Sequence, residues 1–173
     1  MYSKEFVVPN QVNVEVSEGR VKVSGPNGSL ERNFKLGGVK IEKKDNKIVV
    51  SSESERRKSK ALVGTTVAHI QNLIEGVTKG FTYKLKIVYS HFPIQVKIGK
   101  DNVLFSNFLG EKTPRAAKIV GNTKVKIEGA DIIVSGMDLE EVGQTASNLE
   151  LATRRTGYDK KIFQDGCYIV SRE

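Results

Sequence analysis

Cysteine is almost missing from this 173-residue chain, in which Cys167 is the single example. One thiol cannot form a disulfide within the chain, and it leaves nothing for a zinc site built from cysteines. The neighbours Tyr168, Ile169 and Val170 are apolar, so we interpret Cys167 as a small buried hydrophobic residue. The sequence therefore fits a reducing compartment.

Histidine is also scarce, which limits the metal and catalytic sites that the chain can build. Neither His69 nor His91 has a cysteine, a histidine or a paired carboxylate at a spacing suited to a shared metal ion. The sequence also lacks a nucleophile elbow, a P-loop and a dinucleotide fingerprint, and residues 25–28 (Gly-Pro-Asn-Gly) indicate a turn between strands. We therefore expect no metal site, no cofactor and no enzymatic activity.

One group of carboxylates has an explanation other than catalysis. Asp138, Glu140 and Glu141 lie close together in the sequence, but they occupy the first turn of a predicted helix. Carboxylates are favoured there by the positive end of the helix dipole. The pattern therefore favours a structural role for all three.

Long apolar runs are missing too. No window holds 18 apolar residues in succession, and the first residues lack the apolar stretch and the cleavage site of a signal peptide. We expect the protein to stay in the cytoplasm and not in a membrane. The apolar share of 38% and the charged share of 28% are typical of a globular chain.

The charge that is present is mostly positive. There are 28 Lys and Arg against 20 Asp and Glu, a net charge of +8, and such an excess favours phosphate-rich partners. Divided after Ser90, the first part has 16 basic and 9 acidic residues, net +7, and the remainder has 12 and 11, net +1. Mean charge points to the first half, but local clustering leaves the second half open as a binding surface.

The chain resembles itself, and this internal repeat is its most informative feature. Val12, Val14 and Val16, followed by Val21 and Val23, alternate with polar residues as half-buried strands do. The pattern recurs 82 positions later at Ile94, Val96, Ile98, Val103 and Phe105. Further strand pairs are predicted at residues 39–42 and 48–50, and again at residues 125–128 and 132–134.

Each copy then continues into a predicted helix. The apolar residues of the first helix fall on one stripe of a 3.6-residue period, at Val63, Val67, Ile70, Ile74 and Val77. The stripe recurs 79 positions later at Val142, Ala146 and Leu149, and Leu139 extends it backward. We expect each helix to bury this stripe against strands of its own copy.

These elements predict an α+β fold made of two tandem copies of a small domain, each an antiparallel-rich sheet covered on one face by one helix. Residues 81–89 (FTYKLKIVY) are predicted to close the first copy as a strand, and residues 167–170 to close the second. The predicted domains are therefore residues 1–90 and 91–173.

Three clusters of basic residues are candidates for contact with RNA. The first cluster lies at the start of the first helix and comprises Arg56, Arg57, Lys58 and Lys60. A solvated helix end explains it equally well. In the second cluster, Lys112, Arg115 and Lys118 recur every three residues beside a proline and a glycine, which favours contact with phosphates.

The third cluster occupies residues 152–161, a polar stretch that leaves the second helix. It places Arg154, Arg155, Lys160 and Lys161 around Tyr158, and a loop of this length in a small domain usually has a function. Arginine can bind phosphate through two hydrogen bonds and lysine adds a mobile charge. Tyr158 or an arginine plane can stack on an unpaired base. The sequence therefore favours RNA contact here.

Two longer stretches carry recognisable motifs, at residues 69–94 (HIQNLIEGVTKGFTYKLKIVYSHFPI) and residues 154–170 (RRTGYDKKIFQDGCYIV). Together with the tandem repeat, they resemble the large-subunit ribosomal protein six family in its archaeal and eukaryotic form. The resemblance covers almost the whole chain, and its most specific motifs are GVTKGF at residues 76–81 and FQDGCYIV at residues 163–170.

The resemblance implies a non-catalytic ribosomal protein that binds large-subunit rRNA near the sarcin–ricin loop and the base of the factor-binding stalk. Neighbouring ribosomal proteins and translation factors would be further partners. In that family the second domain is the main rRNA anchor. Carried onto this sequence, the anchor comprises Lys112, Arg115, Lys118, Arg154, Arg155, Tyr158, Lys160 and Lys161. The alternative is a protein-interaction module whose basic first domain binds an acidic translation partner.

Overall fold

The chain divides into two compact units. The structure is a computed structural model that describes residues 2–17, 19–34 and 37–173. The first unit ends at Gly80, and the second comprises Phe81–Glu173.

The first unit consists of antiparallel strands followed by one long helix. Its elements are β1 (Tyr2–Val7), β2 (Asn13–Ser17), β3 (Arg20–Gly25), β4 (Gly28–Asn33), β5 (Val39–Lys44), β6 (Lys47–Ser52) and α1 (Arg57–Thr78). Strands β2, β3 and β4 form one sheet in that order, and β1, β6 and β5 form another. Strands joined by short turns pair with each other in both sheets, whereas β1 pairs with β6, which is distant in the sequence.

The core of the first unit is built from the predicted apolar stripes. The five residues of the helical stripe are all buried: Val63, Val67, Ile70, Ile74 and Val77. The valines of the first two repeat strands join the same core, with Val14, Val21 and Val23 at most 1% exposed and Val16 partly buried. Since α1 packs against β3 and β6, one helix covers strands from both sheets. The strands predicted before the helix, and the helix itself, are confirmed for this copy.

The turn between β3 and β4 touches the C-terminal end of α1. A Cβ atom on Gly25 would lie 2.7 Å from Cγ2 of Val77, closer than side chains pack in proteins. The backbone N–H of Asn27 donates to the Val77 carbonyl over 3.0 Å. The predicted turn is confirmed, and the lack of a side chain at Gly25 lets it approach the helix.

The second unit repeats this arrangement and, in the described part of the chain, has one additional strand at its C-terminal end. Its elements are β7 (Phe81–Val88), β8 (Gln95–Ile98), β9 (Asn102–Ser106), a single 3₁₀ turn (Phe108–Gly110), β10 (Arg115–Lys118), β11 (Lys124–Glu128), β12 (Asp131–Gly136), α2 (Leu139–Ala152) and β13 (Gly166–Arg172). One antiparallel sheet has the order β8, β9, β10, and the other has the order β11, β12, β7, β13. The predicted α+β class with two tandem copies is confirmed.

The prediction that residues 81–89 close the first copy is wrong. Strand β7 lies inside the second unit, where Leu85 pairs with Ile132 of β12 and Ile87 pairs with Cys167 of β13. Leu85 and Ile87 are buried in the core of that unit. A central strand needs partners on both sides, and position in the sequence does not reveal them. The boundary therefore follows Gly80, ten residues before the predicted one at Ser90.

The second helix buries the stripe that the repeat predicted. Val142, Ala146 and Leu149 are fully buried, and Leu139 packs against the same core while partly exposed. The side chain of Asp138 caps α2 by accepting the Glu140 backbone N–H over 2.8 Å. This is the structural role expected for the acidic cluster.

Cys167 lies on β13 and is 1% exposed, so the interpretation as a buried hydrophobic residue is confirmed. Burial, together with the charge of Glu150, raises the pKa of this thiol to about 12. The thiol therefore stays protonated at neutral pH and is a poor nucleophile.

Candidate nucleic-acid interface

The candidate interface centres on residues 153–165, which join α2 to β13 and are called the basic loop below. Five of the predicted RNA-binding residues lie in it: Arg154, Arg155, Tyr158, Lys160 and Lys161. Arg154, Lys160 and Lys161 are exposed, whereas Arg155 is partly buried. Three cations of the loop are thus exposed to solvent, and the fourth packs within the loop.

The start of the basic loop is held by Arg115, the first residue of β10. Its Nη1 group donates to the carbonyl oxygens of Ala152 at 3.2 Å and Arg154 at 2.8 Å. Its Nε and Nη2 groups donate to the carboxylate of Glu111 at 2.8 and 2.5 Å, and the guanidinium lies 4.4 Å from the centre of the Phe108 ring. The bond to Arg115 lowers the pKa of Glu111 below its ordinary value.

These contacts occupy four of the five N–H groups of the Arg115 guanidinium. Arg115 was predicted to contact phosphate, but the structure places it inside a network that fixes the backbone of the basic loop. A guanidinium used in this way has little left for a bidentate bond to RNA.

The two ends of the basic loop are joined by Arg155 and Thr153. Arg155 Nη1 donates to the carbonyl oxygen of Asp165 over 3.0 Å and also to the hydroxyl of Tyr168. The Thr153 hydroxyl accepts the backbone N–H of Cys167 over 2.8 Å. Arg155 Nε is buried and meets no acceptor among the described residues. The loop is therefore closed at its base, and one arginine donor stays unused there.

The far end of the loop is anchored by Asp165, whose side chain is fully buried. Its Oδ1 accepts the backbone N–H of Ser90 at 3.3 Å and the Ser90 hydroxyl at 3.1 Å, and it lies 3.5 Å from Nδ1 of His91. Burial alone would raise the pKa of this carboxyl, but the hydrogen bonds from Ser90 and His91 outweigh it and bring the pKa below its ordinary value. Asp165 is thus a carboxylate that ties the loop to the end of β7.

Aromatic contacts fix the middle of the loop. The Tyr158 ring meets Phe163 edge to face at 4.9 Å between centroids, and Phe163 stacks on His91 at 4.5 Å. Tyr158 is still 46% exposed, so part of its ring faces solvent. An aromatic ring held in this way can stack on an unpaired base at little cost in conformational entropy.

The other predicted anchor residues lie beside β10. Lys112 precedes this strand and Lys118 ends it, and both side chains are exposed. The carbonyl of Lys118 accepts Asn148 Nδ2 of α2 over 2.9 Å, which fixes the backbone from which this lysine extends. The structure brings Arg154, Arg155 and Lys160 around one cavity and ties Arg115 to the loop backbone.

Sequence reasoning missed the residues that hold the loop, namely Glu111, Ser90, His91 and Asp165. Their partners are 4 to 75 positions away along the chain. The sequence signal for Asp165 was weak: one acidic residue stands between apolar Phe163 and Gly166, the first residue of β13.

The first basic cluster lies where the sequence predicted, at the start of α1. Arg56 occupies the N-cap position without a capping side-chain bond, and the described first turn of α1 contains no acidic residue. Lys60 Nζ lies 5.3 Å from the centre of the Tyr2 ring. Cations at the positive end of a helix dipole are unfavourable in the isolated protein.

The described part of the chain contains no group of three or more His, Cys, Asp or Glu residues that could hold a metal ion. Among the same residues, no helix combines the length and the apolar character needed to cross a membrane.

Comparison with known proteins gives matches over nearly the whole chain. The family model described as ribosomal protein L6 matches residues 8–80 and again residues 92–166. Large ribosomal subunit protein uL6 of Sulfurisphaera tokodaii is 47% identical over 171 residues, which cover 98% of this chain and 92% of that protein. The uL6 proteins of Methanosarcina mazei (49% over 170 residues; 98% and 97% covered) and Aeropyrum pernix (51% over 167 residues; 96% and 92% covered) are similar to the same extent. The two matched segments fit the internal repeat.

Proposed function

Because the chain belongs to the ribosomal protein L6 family, we propose that it binds large-subunit rRNA, with the basic loop of its second unit as the main anchor. As a member of this family, the chain is a structural protein of the large ribosomal subunit and not an enzyme. We propose which residues hold the chain in the subunit and how they do so.

The observation that carries the proposal is the fixed backbone of the basic loop. Arg115 holds its start, Arg155 joins its ends and buried Asp165 anchors its far end. The exposed cations Arg154, Lys160 and Lys161 are thus presented from a preorganised segment, and less conformational entropy is lost when RNA binds. Phosphate contacts from such residues supply most of the affinity for RNA.

The remaining anchor residues have graded roles in this proposal. Lys112 and Lys118 neutralise further phosphates beside β10, and Tyr158 stacks on a base through its exposed part. Arg115 and Arg155 act as positioning residues, since their guanidinium groups bind backbone carbonyls of the loop. The site on the rRNA is the one implied by the family resemblance, near the sarcin–ricin loop and the stalk base, with neighbouring ribosomal proteins and translation factors within reach.

The salt dependence of binding tests this assignment. Each phosphate contact adds about 0.7–0.9 to the slope of log affinity against log salt concentration. We expect the triple variant Arg154→Ala, Lys160→Ala, Lys161→Ala to lower the slope for an in vitro transcript of large-subunit rRNA by about 2–3 units. The matched control is Lys97→Ala with Lys126→Ala, which removes exposed lysines of the second unit outside the loop. Equal slopes for the triple variant, the control and the wild type would contradict the proposal.

A second candidate function rests on the first basic cluster. Arg56, Arg57, Lys58 and Lys60 are exposed at the uncapped start of α1, where a negatively charged partner would relieve their mutual repulsion and the unfavourable dipole. An acidic translation partner is the candidate. Affinity capture with and without nuclease separates the two functions, because association through RNA disappears after digestion and direct protein binding persists.

A further inference from the structure

A cavity of about 250 Å³ opens between the end of α2, the basic loop and β13. The lining residues used below are Arg154, Arg155, Lys160, Glu150, Leu151 and Tyr168. Three of them are cations, one is an anion, one is aliphatic and one is aromatic. We propose that this cavity receives one unstacked nucleotide of the bound RNA, with the base inside and its phosphate at the rim. This inference rests on the proposed function.

The size of the cavity suits a single base. A cavity of roughly 150 Å³ can hold one six-membered aromatic ring, and pockets for larger organic ligands run from about 300 to 1,000 Å³. At about 250 Å³, this one has room for a flat heterocycle of one or two rings. It has no room for a stacked pair.

The walls of the cavity offer a surface for a flat ring. The Tyr168 side chain is fixed at its hydroxyl, which donates to the Gln164 carbonyl over 2.9 Å and accepts from Arg155. Leu151 is 58% exposed at the end of α2 and lines the same space. An aromatic ring and an aliphatic chain are common neighbours of a base taken out of its stack.

The polar groups favour a nucleotide over a free phosphate ion. Arg155 lines the cavity, but its Nε is buried and its Nη1 donates to the Asp165 carbonyl and the Tyr168 hydroxyl, so two of its three guanidinium nitrogens are not available to a free phosphate ion. The carboxylate of Glu150 would repel a phosphate that entered deeply, but it can accept N–H groups of a base. Arg154 and Lys160 are exposed and can bind the phosphate outside.

The test fills the cavity without changing charge. We expect Leu151→Trp to lower the affinity for an in vitro transcript of large-subunit rRNA about tenfold, because one stacked base contributes roughly that much. The salt slope should stay at the wild-type value, since no phosphate contact is removed. The matched control is Ile98→Trp, which places the same ring at an exposed position of β8 that does not line the cavity.

The outcomes separate this inference from the proposed function. Wild-type affinity for Leu151→Trp, with a reduced slope for the Arg154, Lys160, Lys161 triple variant, overturns the nucleotide cavity and leaves the rRNA anchor intact. If the salt slope of the triple variant equals that of the wild type, the proposal that the basic loop is the rRNA anchor is itself overturned.

Base-specific chemical probing of the complex provides a second measurement. At least one unpaired base should be shielded by the wild-type protein and by Ile98→Trp, and it should become reactive again with Leu151→Trp. Protection of the RNA backbone without any shielded unpaired base would overturn the inference, even if Leu151→Trp does not fold.

Discussion

In the first unit the helix starts with Arg57 and Lys58 behind an uncapped Arg56, whereas in the second unit the helix starts with Glu140 and Glu141 behind the cap of Asp138. The two helices otherwise bury equivalent apolar stripes in the same fold. The start of α2 is thus capped by a side chain of favourable charge. A cluster of cations of the second unit lies in the basic loop instead. Two copies of one scaffold can therefore carry their charged groups at different positions.

With the boundary placed after Gly80, the two units differ little in net charge. Up to Gly80 there are 14 basic and 9 acidic residues, net +5, and Phe81–Glu173 have 14 and 11, net +3. The strong contrast between the halves arose because Lys84 and Lys86 were counted with the first unit. Mean charge therefore does not select one unit as the RNA anchor, and the fixed basic loop becomes the stronger criterion.

Loss of Asp165 should have the largest effect on the second unit, because the basic loop would lose its far anchor. We expect Asp165→Ala to lower the free energy of unfolding by about 2–4 kcal/mol, since it removes two hydrogen bonds from Ser90 to a charged acceptor and a side chain that is fully buried. Chemical denaturation measures this. A loss below about 0.5 kcal/mol would contradict the anchoring role.

The same carboxyl predicts a dependence on pH. Its pKa lies below the ordinary value in the folded protein, so its stabilising contribution is complete above the unfolded pKa of about 3.9 and is lost as pH falls through the folded pKa. Asp165→Asn should therefore flatten the decline in stability below about pH 4 relative to the wild type. Parallel curves for the two proteins would show that Asp165 contributes nothing there.

Truncation of Arg115 should loosen the start of the loop. We expect Arg115→Ala to cost about 1–3 kcal/mol in unfolding free energy and to weaken rRNA binding while leaving the salt slope close to the wild-type value. Lys112→Ala is the control, because it should lower the slope by about 0.7–0.9 with little effect on stability. A full unit of slope lost in Arg115→Ala would mean that Arg115 itself binds phosphate.

Substitutions at the helix starts should give the smallest effects, and they test the difference between the two units. Asp138→Ala should destabilise the protein by about 1 kcal/mol, and Arg56→Asp should stabilise it by about 0.5–1 kcal/mol because it adds a cap with the favourable charge. Thermal unfolding of both variants checks the signs. Destabilisation by Arg56→Asp would show that Arg56 has a structural role in α1.

Much of the fold follows from the sequence because periodicity reports burial directly. The stripe from Val63 to Val77 and the alternating valines of β2 and β3 are buried as expected. The placement of β7 could not be predicted, since Leu85 and Ile87 alternate equally well beside either core. Its partners in β12 and β13 are brought to it only by the folded chain.

The cationic residues of the candidate site could be predicted from the sequence, but their separate roles could not. Clustered cations identified the basic loop, and Arg154, Lys160 and Lys161 are exposed as RNA contacts require. Arg115 and Arg155 have the same chemistry in the sequence, yet their guanidinium groups bind loop carbonyls. Only the three-dimensional contacts separate an exposed cation from one that positions its neighbour.

Chemical labelling of lysines in intact large subunits tests whether the basic loop is the main rRNA anchor. Each lysine is compared between the free protein and the assembled subunit by mass spectrometry after reaction with an amine-specific reagent. We expect strong protection of Lys160 and Lys161 in the subunit and weaker protection of Lys58 and Lys60. Unchanged reactivity of Lys160 and Lys161 on assembly, with Lys58 and Lys60 protected instead, would contradict it.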